Sequence, residues 1–139
     1  MGVNNWAVLA ATVAMFMVGS AWYMGIFAKM WGEMFGFDKL SKKEQKVMQA
    51  KMGPWMLLQL VVTAISAAGL AKMISLLPNY SVYTLAGMLW IGFIVPVTVS
   101  GVIFGGTEPK WIKRKILIQI GESLTHLMVA AWAIGLIQK

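Results

Sequence analysis

Four apolar stretches, at about residues 6–28, 54–77, 83–104 and 116–137, constrain this 139-residue chain more than any other feature. A helix rises about 1.5 Å per residue, so each stretch is long enough to cross a hydrocarbon layer of about 30 Å. Backbone groups inside a bilayer must be satisfied within the segment, so helices are the expected form. The expectation is an all-α membrane protein, with residues 1–139 forming one domain. Its four transmembrane helices should make an antiparallel bundle. The remainder is two charged loops, a tight turn and two stubs, which leaves no room for a soluble catalytic domain. No enzyme is expected.

The net charge of +7 does not imply nucleic acid, because of where the charge lies. Lys29, Lys39, Lys42, Lys43, Lys46 and Lys51 fall between the first two stretches, and Lys110, Lys113, Arg114 and Lys115 precede the fourth. By the positive-inside rule both basic loops are cytoplasmic and both termini lie outside. Loops of this kind attract anionic headgroups, so membrane lipids are expected partners. The first stretch has no basic segment ahead of it and exceeds the length of a signal-peptide core, so it should persist as a helix. There is no cysteine, hence no disulfide and no thiolate ligand.

Local signals fill in the connections. Ala10, Ala14, Ala21, Gly25 and Ala28 recur at helical spacing, and a face of small residues is where another helix should pack. Trp22, Tyr23, Trp31 and Trp111 stand beside lysines and are expected to anchor the membrane interface. Ser41 with Glu44 three residues on forms a capping box. Val47, Met48 and Met52 then make an apolar stripe among lysines, so a short amphipathic helix should lie on the membrane surface. Leu77-Pro78-Asn79-Tyr80-Ser81 predicts a tight turn. Pro96 lies inside the third stretch, where its missing N–H predicts a kink. Gly19-Ser20-Ala21-Trp22 and Gly87-Met88-Leu89-Trp90 share Gly-x-x-Trp, but the tryptophans fall at different depths, which points to coincidence.

The fourth stretch holds the ionisable residues deepest in any span. Gln119, Glu122 and His126 are spaced by three and four and share one helix face, with Ser123 at its border. Intramembrane ionisable residues are costly and mark function by default. The pair suits proton relay or cation-coupled transport. His126 also suits ligation of a haem or pigment. The plainer alternative is structural, with Glu122 bonded to His126 or to the Gly92 carbonyl that Pro96 frees, tying two helices together. Twelve methionines read as lipid-facing and gap-filling residues rather than a copper site. No resident cofactor or metal is expected.

Asn5-Trp6, Gly19-x-x-Trp22-Tyr23, Phe27-x-Lys29-x-Trp31, Leu89-Trp90-Ile91-Gly92-Phe93 and Pro96 together resemble a bacterial membrane family labelled domain of unknown function 1761. The resemblance spans nearly the whole chain. It implies a four-helix integral protein of the bacterial inner membrane and carries no reaction or catalytic residues. It leads one to expect Gly-Tyr where Gly121-Glu122 stands, which makes Glu122 a feature of this branch. The leading functional expectation is a structural or accessory subunit working through helix contacts, self-associated or part of a larger complex. The alternatives are a small homo-oligomeric proton-coupled transporter using Glu122 and His126, and a haem- or pigment-binding subunit using His126.

Overall fold

A computed structural model describes residues 2–138, and within them every regular element is helical. The chain runs through α1 (Asn5–Ala21), α2 (Ala28–Met34), α3 (Lys42–Lys51), α4 (Gly53–Leu76), α5 (Val82–Leu89), α6 (Val95–Phe104) and α7 (Ile112–Ile137). Two π-turns, Trp22–Ile26 and Trp90–Ile94, extend α1 and join α5 to α6. Four continuous stretches are long and apolar enough to cross a membrane: Asn5–Ile26, Gly53–Leu76, Val82–Phe104 and Pro109–Ile137.

Local chemistry explains most boundaries. The Asn4 side chain accepts from the Trp6 and Ala7 amides and opens α1. The break after it falls at Phe27, so the first apolar helix ends two residues short of the expected limit. Gly36 takes a φ of 70°, which a residue without Cβ adopts at little cost, and turns the chain toward α3. Ser81 caps α5 by accepting from the Tyr83 amide, after the expected turn closes with Tyr80 N–H donating to the Leu77 carbonyl.

The capping box of α3 is complete. The Glu44 amide donates to Ser41 Oγ at 3.2 Å, and the Ser41 amide donates to Glu44 Oε2 at 2.8 Å. That bond to the Ser41 backbone holds the Glu44 carboxyl below the usual glutamate range. Because the folded value is depressed, the cap is fully formed above the ordinary carboxylate range and is lost as pH falls through the Glu44 value. The Ser41 and Glu44 amides are therefore expected to lose protection, relative to their intrinsic exchange rates, as pH falls through the Glu44 value, with α4 amides unaffected. Unchanged protection at those amides would contradict this account. Val47, Met48 and Met52 remain exposed on this helix.

The core sits where α1, α4, α5 and α7 meet. Ala7, Ala11 and Met15 face Ala67, Leu70 and Ala71, with Leu85, Ala86, Leu127, Ala130, Ala131 and Ile134 completing the cluster. Alanine dominates because small side chains let backbones approach closely. α7 is the hub and touches α1, α4, α5 and α6. At one end Gln138 closes the bundle: its Nε2 donates to the Ala71 carbonyl at 2.8 Å, and its Oε1 accepts from the Asn4 amide at 3.2 Å.

Three expectations need correction. The buried face of α1 runs through Ala7, Ala11 and Met15, whereas Ala21, Gly25 and Ala28 are exposed. The face already drifts away from Ala21 within α1. The π-turn then adds a residue to one turn and rotates Gly25 and Ala28 further outward. Second, the fourth helix starts at Ile112, so Lys113, Arg114 and Lys115 form its first turn rather than a loop. Third, the shared Gly-x-x-Trp string is structural. Trp22 and Trp90 each open a π-turn, and each indole bonds to α7.

Candidate functional site

α7 is held from two sides by tryptophan. Trp22 Nε1 donates to the Ile118 carbonyl at 3.0 Å. Trp90 Nε1 donates to the Ile120 carbonyl at 3.0 Å and to Ser123 Oγ at 3.1 Å. A helical carbonyl has a second lone pair to offer, so α7 gives up none of its own ladder. Gly121, between these acceptors, lets the Trp22 ring lie flat on the helix. A Cβ there would come within 3.0 Å of Trp22 Cζ2.

Glu122 lies on the turn so fixed, ten residues and about 15 Å beyond the first residue of α7. Its Oε1 is 2.6 Å from His126 Nδ1, one turn along the same helix. The spacing of four puts both on one face, as expected from the sequence. A single proton bridges the two atoms, carried by the imidazole or by the carboxyl. α1 approaches here through Gly19, where a Cβ would sit 3.4 Å from the carboxylate oxygen. Among the described residues no buried side-chain nitrogen or oxygen lacks a partner.

Glu122 also borders an open cavity of about 340 Å³, which it shares with Gln119, Lys115, Tyr23 and Thr98. The structure thus brings Gln119 and Glu122 together at one wall, with His126 bonded behind them. Lys115 and Tyr23 are additions that the sequence reading assigned elsewhere. Extending the stripe back one turn would have found the lysine, since residues 115, 119, 122 and 126 keep one face of α7. Thr98 arrives from α6 and has no sequence signal.

The aromatic residues fall into two groups. Tyr23 and Trp31 pack at 4.6 Å between ring centres, and Trp31 continues onto Phe35 at 5.2 Å. The Trp111 ring carries the Arg114 guanidinium at 4.5 Å and the Lys110 ammonium at 5.2 Å. Arg114 Nη1 also reaches Glu33 Oε2 at 2.7 Å, joining α2 to the start of α7. Pro96 occupies the first turn of α6, directly after the second π-turn, where the Val95 amide bonds back to the Trp90 carbonyl.

No curated protein and no solved structure gives a match to this chain. A family model described as "Protein of unknown function (DUF1761)" matches residues 6–135. That match takes in all four apolar helices, both π-turn tryptophans and the Gln119–His126 stripe, and the chain therefore belongs to the DUF1761 family.

Proposed function

We propose that this protein is an integral protein of the bacterial inner membrane, an antiparallel four-helix bundle whose Glu122–His126 pair exchanges protons with an open cavity in a small homo-oligomeric proton-coupled transporter. One observation carries the reading. The pair is bonded within its own helix and, among the described residues, makes no hydrogen bond to another helix, while Glu122 lines the cavity. The work of tying helices together falls to Trp22, Trp90 and Gln138. A carboxyl placed only to tie helices would hydrogen-bond to a second helix. One that takes up and releases protons needs a partner for its proton and a way out of the bundle; His126 supports the first and the open cavity the second.

Reconstitution tests it. Proteoliposomes under a potassium diffusion potential should acidify or alkalinise an entrapped dye faster than empty vesicles. Glu122→Gln should bring the rate down to that of empty vesicles, with helical content unchanged. Wild-type flux equal to that of empty vesicles would remove the transport reading.

The orientation proposed with it places the basic segments in the cytoplasm and the termini outside, from the position of ten of the twelve Lys and Arg residues. A membrane-impermeant maleimide should label Gly2→Cys but not Lys46→Cys in intact cells. The reverse pattern would invert the topology.

A second reading, an accessory subunit acting through helix contacts, draws on the stretch Val82–Phe104. It is the least buried of the four, with Phe93, Val97 and Phe104 fully outward. If vesicles show no flux while the chain purifies with a constant stoichiometry of a second membrane protein, that reading takes over.

A further inference from the structure

A second cavity, of about 470 Å³, shares no lining residue with the cavity that the transport reading uses. One part of its wall is basic, from Lys110, Lys113 and Arg114, and the other is apolar, from Phe27, Met30 and Leu117. Among the described residues no carboxylate lines it. The two nearby acids are engaged from outside, Glu108 with Lys110 at 3.1 Å and Glu33 with Arg114 at 2.7 Å. Lys113 has no ion-pair partner among the described residues. Arg114 spends one nitrogen on Glu33 and one face on Trp111, which leaves further N–H donors of its five free and its plane fixed.

We propose that this cavity holds one anionic phospholipid, its headgroup phosphate against Lys110, Lys113 and Arg114 and its acyl chain along Phe27, Met30 and Leu117. A soluble anion would satisfy the cations and leave the apolar wall unused. A zwitterionic lipid would fill the apolar wall but bring a phosphate whose charge its own headgroup ammonium already balances, leaving the cations in net excess. A basic pocket between membrane helices on the cytoplasmic side is suited to a charged headgroup. The way the pocket is built supports this. The first long helix breaks at Phe27, whose ring packs on Trp22 at 5.0 Å and lines the pocket, while the early start of α7 puts Lys113 and Arg114 on its first turn in the same wall. The proposal rests on the membrane location and not on any flux.

The test uses the full chain in nanodiscs of phosphatidylcholine containing a minor share of phosphatidylglycerol, followed by native mass spectrometry. The wild type is expected to keep one phosphatidylglycerol after the disc is stripped. Lys110→Gln with Lys113→Gln should weaken retention by about thirtyfold, since each lysine near an anionic headgroup contributes about 1 kcal/mol and two are removed. Lys43→Gln with Lys46→Gln removes the same charge from α3, outside the pocket, and should leave retention unchanged. Equal loss from both double variants would mean diffuse attraction and would overturn the site. Leu117→Asn should also weaken retention, and millimolar inorganic phosphate should not displace the lipid. If phosphate displaces it and Leu117→Asn has no effect, the pocket binds free phosphate and the lipid assignment fails. A chain that enters discs without retaining the lipid overturns this site alone. One that does not enter discs overturns the membrane reading too.

Discussion

The Gly121→Val variant is expected to lose stability by about 1–3 kcal/mol, the usual result of forcing extra carbons into a filled contact. Even one added carbon would lie 3.0 Å from Trp22 Cζ2, and valine adds two more. The ring has little freedom to retreat, because its Nε1 is bonded to the Ile118 carbonyl. The damage should therefore show as loss of the Trp22 hydrogen bond as well as a lower melting temperature. Tryptophan fluorescence followed through thermal unfolding in detergent reads both. The Trp22→Phe, Gly121→Val double variant should recover part of the loss, since the smaller ring relieves the clash. An unaltered melting temperature in the single variant would mean that the α1–α7 contact is looser than the geometry indicates.

His126→Leu is expected to cost more than Glu122→Gln. The glutamine keeps a polar head within reach of His126 Nδ1, so the pair persists in neutral form and stability should hardly change. Leucine removes the one side-chain hydrogen-bond partner that Glu122 has among the described residues. A carboxyl left unbonded and mostly covered costs about 1–3 kcal/mol. Thermal unfolding of the two variants side by side decides the order. If Glu122→Gln is the more damaging, the carboxylate makes a structural contact beyond His126 and the proton-exchange reading weakens.

How much of this was legible beforehand depended on whether the signal was local. The apolar stretches, the Ser41–Glu44 capping box and the Glu122–His126 spacing all depend on residues within one helix, where 3.6-residue geometry decides who meets whom. The membrane-length helices and the family are shown by the structure and by the match over residues 6–135. The packing face of α1 runs through Ala7, Ala11 and Met15, while the expected Ala10 and Ala14 are half-buried and Ala21 is exposed, because small size alone does not say which face a neighbour covers; beyond Trp22 a π-turn, which gives no strong sequence sign, interrupts the periodicity as well. Trp22 bonding across 96 positions to Ile118, and Gln138 bonding across 67 to Ala71, lie beyond any local rule. Thr98 at the cavity wall is likewise a product of how α6 docks on α7.

The two π-turns change what a deletion would mean. In an ordinary helix, losing one residue shortens the segment and swings everything beyond it by about 100°. Within Trp22–Ile26 or Trp90–Ile94, the residue lost is the surplus one. The turn would then close to a regular helix, with the flanking halves geared together by a continuous hydrogen-bond ladder. Phe27 and Met30, or Thr98 and Val102, would therefore keep their facing to α7 instead of being swung off it. Each π-turn thus carries one residue whose loss leaves the half-helix beyond it aimed as before, which no ordinary turn of the bundle offers.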